Sequence, residues 1–374
     1  ISINGVRLPS TSGVDRSVDL SLISPELLSG IELFKSPTPD MDGDALGGSI
    51  NLNIIKAPKE RKASIKLLGG YNELTGTFQD YKATASIAQR FLKGKVGITA
   101  TGNIERFNRS GEAIRQSWGD NTSVSRDTMD NIALQEGNSL SYEKQLEIRK
   151  RYNGSLGVDF GLGKKTDVTL LGIFSRTTRD QFNQQERYDV NNTRLTFTPE
   201  IRESSIDLYS GSISTRHQLG KVKIEWGIAY SEVVGETPYN FEADFYNVSA
   251  PFDLTVYDSI NRGAPENFYT FVQAQDGASY LQEARSITSG NSEKINSGFI
   301  NLELPFQIGT NVSATFKTGV KAVSTAKERT YEEAFEKNYY LRNNSYFAPF
   351  TEDREAFFTP VVDPTGNFYY GVDN

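Results

Sequence analysis

KVKIEWGIAYSEVVG, residues 221–235, carries Val222, Ile224, Trp226, Ile228 and Tyr230 on alternate positions, with Lys223, Glu225, Gly227, Ala229 and Ser231 between them. Successive side chains of an extended strand point to opposite faces, so a period of two gathers the large apolar residues on one face and the polar or small ones on the other. Immediately before it, QLGK (218–221) is a short turn signal.

The same texture extends in both directions. Residues 62–72 place Ile65, Leu67, Gly69 and Tyr71 together, 79–91 place Tyr81, Ala83, Ala85 and Ile87, and 95–109 place Val96, Ile98, Ala100 and Ile104. Further strands are expected at 146–161, 166–182, 204–218 (in a less regular register), 285–304 and 311–330, which makes nine. Their connections alternate. LKGK (92–95), GLGKK (161–165), QLGK (218–221) and PFQIGTN (305–311) are short. The others are NELTGTF, about 35 residues from Ser110, about 20 from Asn183, about 50 from Glu236 and the tail from Tyr331. A meander with short turns at one end and long loops at the other is the plan of a transmembrane β-barrel. A soluble sandwich or barrel shares the period of two, but its strands usually run five or six residues, far shorter than these.

Composition removes other classes. Among the 374 residues there is no cysteine, and His217 is the only histidine, so disulfide frameworks, thiol nucleophiles, His-rich metal sites and Ser-His-Asp triads are excluded. Net charge is −7 with a pI near 5.1, and no Lys/Arg block dominates a segment, so no nucleic-acid partner is expected. No apolar run approaches the length of a membrane helix and mean hydropathy is −0.47. Alternating barrel strands average out as polar and escape that test.

Residues 1–58 read differently, as a compact α+β unit, before the linker KAPKERKA opens the strand-rich portion at 59–374. ISINGVRL is strand-like. SPELLSG has a helix-start signature, with Ser24 as N-cap, Pro25 at the first helical position and Gly30 as a stop. GIELFKS and SINLNIIK read as strands around the loop PTPDMDGDALGG. There Gly47 and Gly48 permit a tight passage, Asp40, Asp42 and Asp44 are suited to capping or to meeting arginines, and Pro37 and Pro39 stiffen the approach.

The order INGVRLPSTSG, SPELLSGIEL, PDMDGDALGGSINL, then alternating strands, resembles the plug and barrel of TonB-dependent outer-membrane receptors over about the first 57 residues. The resemblance implies a mainly β fold: a transmembrane antiparallel β-barrel, partial here at about nine strands of about twenty-two, with the C-terminal part of a small α+β plug. It implies active uptake of a scarce nutrient of the siderophore-iron, cobalamin or oligosaccharide class across a Gram-negative outer membrane. It also implies a TonB-ExbB-ExbD energising complex, outer-membrane lipids and a small solute as partners. The family's TonB-binding box and remaining barrel strands are expected outside this stretch, since ISINGV reads as a strand inside a domain and GNFYYGVDN as loop. A second reading is a receptor-like barrel serving as a scaffold subunit, with an outer-membrane or surface lipoprotein as partner.

No catalytic residue, cofactor or metal is expected. DMDGD misplaces the glycine of a calcium loop and lacks its bidentate Glu, and GLGKKT lacks P-loop spacing. The resemblance implies solute contact at the ING turn and beyond it, through Asn4, Arg7, Ser10, Thr11 and Ser12; in an aromatic-rich loop Tyr239, Phe241, Phe245, Tyr246 and Tyr269 are suited to solute or partner contact or to a small core of the loop's own. Pro39, Asp40, Asp42, Asp44, Gly47 and Gly48 form the plug motif. Lys93, Lys95, Lys164, Lys165, Lys221 and Lys223, just inside the short turns, are suited either to meeting lipid head groups or to ordinary solvated turns.

Overall fold

The computed structural model describes residues 1–11, 17–23, 25, 28–35, 48–120, 135–163, 165–189, 194–247, 280–308, 312–337, 361–362 and 368–369. Two sheets carry nearly all of the described structure. The smaller contains β1 (Ser2–Ile3), β2 (Val6–Arg7), β3 (Leu28–Phe34) and β4 (Ser49–Ile54) in the order β2-β1-β4-β3. Asn4 and Gly5 both adopt positive φ, 46° and 82°, as a two-residue hairpin turn of the Asn-Gly type demands. The Ile54 amide donates to Asn4 Oδ1 at 3.0 Å and the Gly5 amide to Asn51 Oδ1 at 2.9 Å, so the turn is tied to β4.

Of the helix expected over 24–30, Pro25 is 3-10 helical, Ser24, Glu26 and Leu27 lie outside the described residues, and from Leu28 the chain is strand, so that β3 includes Gly30; a further 3-10 turn spans Leu20–Leu22. Pairing with β4 outweighs the local helix signals: Leu28 lies opposite Ile54 and Gly30 opposite Asn53 around a bulge, while the Ser29 hydroxyl reaches the carbonyl oxygens of Asn53 and Ile54. At the start of β4, Gly48 has φ 117°, and a Cβ there would stand 2.7 Å from the Phe34 carbonyl oxygen.

The larger sheet comprises β5 (Lys62–Asn72), β6 (Thr77–Phe91), β7 (Val96–Asn108), β8 (Gly111–Asp120), β9 (Gln135–Gly161), β10 (Thr166–Asp189), β11 (Arg194–Leu219), β12 (Val222–Asn247), β13 (Tyr280–Ile308) and β14 (Val312–Lys337). All pairings within it are antiparallel, in the order β14-β13-β12-β11-β10-β9-β7-β6-β5. These nine are the strands expected from the sequence. β8 is additional: β7 pairs Ile148–Phe160 of β9, and β8 prolongs that line by pairing Gln135–Gln145. A two-stranded hairpin, β15 (Val361–Val362) and β16 (Phe368–Tyr369), completes the described elements.

Alternation gives this wall two faces. On one, Leu171, Ile173, Leu208 and Val233 form a common core with Ile3, Leu8, Leu22, Ile23, Leu52 and Ile54 of the N-terminal segment. This inner face therefore abuts the small sheet. The outer face carries exposed apolar residues on strand after strand: Ile65 and Leu67, Tyr81 and Ile87, Ile104, Tyr152 and Leu156, Phe174, Tyr209 and Ile213, Trp226 and Ile228, Ile300, Phe316 and Val320. Leu67 is 79% exposed and Val320 70%. A soluble monomer rarely exposes a contiguous apolar patch beyond a few hundred Å². A band crossing a whole antiparallel wall is the lipid face of a transmembrane barrel, here in part, and the fold is mainly β.

The connections at the short-turn end are tight, at Leu92–Gly94 and at the two-residue turn between Leu219 and Val222 where Gly220 has φ 63°. At the other end the long connections expected at 110–145, 183–203 and 236–284 are strand where they are described next to the wall: β10 runs to Asp189, β11 starts at Arg194 and β12 continues to Asn247. Ladder hydrogen bonding outlasts the band of exposed apolar residues, so strand ends rich in polar residues and interrupted by Pro199 and Pro238 read as loop in the sequence. A second small core forms there, with Leu146, Phe182, Ala243 and Phe245 buried and Phe197, Ile201, Phe241 and Leu281 packed against them.

Candidate functional site

The seam between small sheet and wall is the place where solute-contact residues expected from the sequence meet the charged inner face. Thr11 organises one side. Its amide and hydroxyl donate to the Ser17 carbonyl at 2.9 and 3.2 Å, and its hydroxyl oxygen accepts the Asp19 amide at 2.8 Å. This closes the 11–19 loop and presents Asp19 to the wall, where Arg179 Nη2 donates to Asp19 Oδ2 at 3.0 Å.

Around Arg179 the register of β7, β9 and β10 assembles a basic group. Arg149 lies directly opposite Arg179, and Arg151 lies opposite both Thr177 and Glu105. Residues 149 and 151 are two apart on one strand and share a face. Arg151 Nη1 donates to Glu105 Oε1 at 2.7 Å, while Arg149 Nη2 reaches the same oxygen only at 3.8 Å. Lys82 stands 4.0 Å from Glu105 Oε2. Three arginines and a lysine thus share the carboxylates of Glu105 and Asp19. Glu147, the next carboxylate along β9, accepts from the amides of Gln145 and Gln181 at 3.1 and 2.8 Å.

Arg149 and Arg151 are more than nine-tenths buried, at 7% and 8% exposure. Arg149 Nε and Arg151 Nη2 are buried without any hydrogen-bond partner, as is Asn103 Oδ1 on the same face. Buried guanidinium N–H groups left unpaired are costly, so this part of the seam has donor capacity that the described protein atoms leave unfilled.

The remaining expected residues fall in different settings. Asn4 is engaged in its turn, Arg7 is half-buried in β2 and Ser10 is buried. Tyr239, Phe241, Phe245 and Tyr246 lie on β12, paired to β11 and β13, and not in a loop as expected. The physical reason is the extension of the ladder beyond the apolar band. Phe245 is buried and Phe241 half-buried in the second core, Tyr239 is exposed, and the Arg194 guanidinium lies 4.5 Å from the Tyr246 ring centroid. Burial raises the phenol pKa of Tyr239 and Tyr246 above the ordinary value, with Glu203 and Asp244 respectively adding to it. Burial likewise raises the Asp244 carboxyl against the opposing Thr198 hydroxyl, which donates to it at 2.5 Å. Ser12, Pro39, Asp40, Asp42, Asp44, Gly47 and Tyr269 lie outside the described residues.

Glu105, Arg149, Arg151, Arg179 and Asp19 were not singled out from the sequence. Their signal was the charge on the face opposite the apolar stripe, visible as Glu105 against Ile104 and Arg151 against Tyr152.

No protein-family model matches the chain, and no curated protein matches it. Solved structures with some likeness include the siderophore receptor PiuA from Acinetobacter baumannii (10% identity, 89% of this chain and 54% of that one, TM-score 0.31). The ferric-catecholate import receptor Fiu from E. coli K12 (9% identity, 89% and 60%, TM-score 0.32) and the unliganded ferric citrate transporter FecA (12% identity, 89% and 51%, TM-score 0.29) are others. The chain spans between about half and three fifths of the length of these proteins. Likeness at this level of TM-score and identity assigns no function.

Proposed function

We propose that this chain is part of a TonB-dependent outer-membrane receptor, with residues 1–58 as the C-terminal part of the plug and 59–374 as barrel wall, and that the protein takes up a scarce small solute. The observation that carries the reading is the small sheet seated on the inner face of a lipid-type wall, joined to it by a shared apolar core and by the Asp19–Arg179 ion pair. A sheet so placed obstructs the lumen, and transport then requires work to move it. On this reading TonB with ExbB and ExbD supplies that work, the outer-membrane lipids meet the apolar band, and the solute belongs to the siderophore-iron, cobalamin or oligosaccharide class.

These 374 residues contain no cysteine, so an introduced pair is the only one within them. Cysteines at Asp19 and Arg179 in the full-length receptor are bridged by a short thiol-specific crosslinker that a reductant cleaves. Uptake, scored as growth on limiting nutrient, is expected to stop on crosslinking and return on reduction, while solute binding persists. Undiminished uptake through a crosslinked plug would overturn the reading. A protein that moves no nutrient but co-purifies stoichiometrically with an outer-membrane or surface lipoprotein would be the scaffold instead.

A further inference from the structure

We propose that the seam holds an anion site built on Arg149 and Arg151, and, resting on the receptor reading above, that the transported solute presents a carboxylate or phosphate group to it. Three observations converge. The two guanidinium groups are more than nine-tenths buried, yet each keeps an N–H without a partner, Nε of Arg149 and Nη2 of Arg151. Both reach one carboxylate oxygen, Glu105 Oε1, but at 2.7 and 3.8 Å, so Arg149 is the loosely held member. The other cations nearby do not release Glu105 or Asp19 for Arg149: Lys82 leans on Glu105, and Arg179 holds Asp19.

Guanidinium is a planar fork of donors matched to carboxylate and phosphate oxygens. An incoming oxyanion would supply the missing acceptors and offset the surplus positive charge in one step. A neutral sugar would supply the acceptors without the charge. The position matters as well. Arg149 faces Arg179, whose other contact is the plug residue Asp19, so an oxyanion bound between the arginines competes with Asp19 for Arg179. Binding would then loosen the latch that the plug must release.

The test is binding by the purified full-length receptor in detergent, measured calorimetrically with inorganic phosphate and with citrate at constant ionic strength. Four forms are compared: wild type, Arg149→Gln, Arg149→Lys and Lys150→Gln. Lys150 lies between the two arginines in sequence but on the opposite face, where it pairs with Asp180 at 3.9 Å. Saturable binding is expected in wild type and in Lys150→Gln, weakened about tenfold or more in Arg149→Gln and less in Arg149→Lys, which keeps the charge and loses the fork. No saturable binding in wild type, or equal weakening by Arg149→Gln and Lys150→Gln, overturns the site. Because the measurement uses no transport, a site that binds in a protein whose crosslinked plug still passes nutrient would uphold the site and reject the receptor reading. A transported solute shown to be uncharged would reject the cargo class while leaving the site.

Discussion

Breaking the Asp19–Arg179 pair is expected to loosen the small sheet and leave the wall intact. Unit charges 3.0 Å apart attract by about 5.5 kcal/mol at an effective dielectric constant of about 20. Desolvation and the ordering of two long side chains take back most of this. Exposed pairs retain about 0.2–1 kcal/mol and hydrogen bonds to charged groups about 1.5–3 kcal/mol. The two side chains here keep 30% and 28% exposure, between those limits. A coupling of about 1–1.5 kcal/mol follows, or roughly a 5- to 12-fold change in the opening equilibrium. The measurement is a double-mutant cycle of Asp19→Asn and Arg179→Gln in the full-length protein, read by amide hydrogen exchange in a lipid bilayer. Exchange should accelerate in peptides covering residues 1–54 and stay unchanged in β13 and β14. A coupling of zero, or faster exchange in the wall alone, would refute the assignment of this pair as the latch of the seam.

Gly48→Ala should destabilise the small sheet by about 2–4 kcal/mol, because a Cβ would stand 2.7 Å from the Phe34 carbonyl oxygen at a φ of 117°; exchange of β3 and β4 amides measures it. Ile228→Arg, on the apolar outer face, should cost about 2–4 kcal/mol in folding into bilayers, against little for a polar change at the inner-face Ala229. Phe182→Ala should cost about 3–5 kcal/mol at the long-loop end, since Phe182 is almost fully buried among Leu146 and its neighbours. Burial raises the Asp244 carboxyl pKa above its unfolded value, so its contribution to stability is fully present below the unfolded pKa and is lost as pH rises through the folded one. Asp244→Asn should therefore make this end more stable at neutral pH and flatten its dependence across the mildly acidic range, as followed by exchange of β12 amides.

The strands were legible where they meet lipid. In 221–235 Val222, Ile224, Trp226, Ile228 and Tyr230 all lie on the outer face and only Val233 turns inward to the core, so periodicity alone identified the strand. The less regular register of 204–218 has a structural cause. Tyr209 and Ile213 face outward, while Ile206 and Leu208 on the opposite face pack against the core shared with the small sheet. Apolar residues on both faces erase a period of two. Strand ends were illegible for other reasons: Asn183–Asp189 is almost wholly polar, and in Arg194–Glu203 the alternation of Leu195, Phe197 and Ile201 is interrupted by Pro199, so pairing, a non-local property, decides them. At SPELLSG the helix signals are local and Pro25 follows them as a 3-10 residue, whereas from Leu28 onward pairing with the distant β4 draws the chain into strand. Of the expected site residues, Thr11 lies beside the seam, where it holds the Asp19 backbone. The arginines it faces come from strands more than 130 residues distant, which no local motif could pair with it.

The two-sided apolar character of β10 and β11 carries an argument about the lumen. A wall strand facing a water-filled channel keeps its inner face polar throughout, as β9 does with Asn153 and Ser155. Leu171, Ile173, Leu208 and Val233 depart from that rule on three adjacent strands and at one level. Left in water, each would forfeit about 1.5–3 kcal/mol of burial. The N-terminal segment covers them with Ile3, Leu8, Leu22, Ile23, Leu52 and Ile54. Directly beyond this apolar contact, towards the long-loop end, β10 changes to Thr177 and Arg179, with Arg151 and Arg149 of the adjacent β9 opposite them. The seam thus has an apolar half that holds the small sheet and a basic half whose unpaired donors are satisfied only by something brought to them. Movement of the small sheet would break the first at a cost in apolar exposure and hydrate the second at a gain. The two halves oppose one another, so displacement requires less work than the apolar area alone implies.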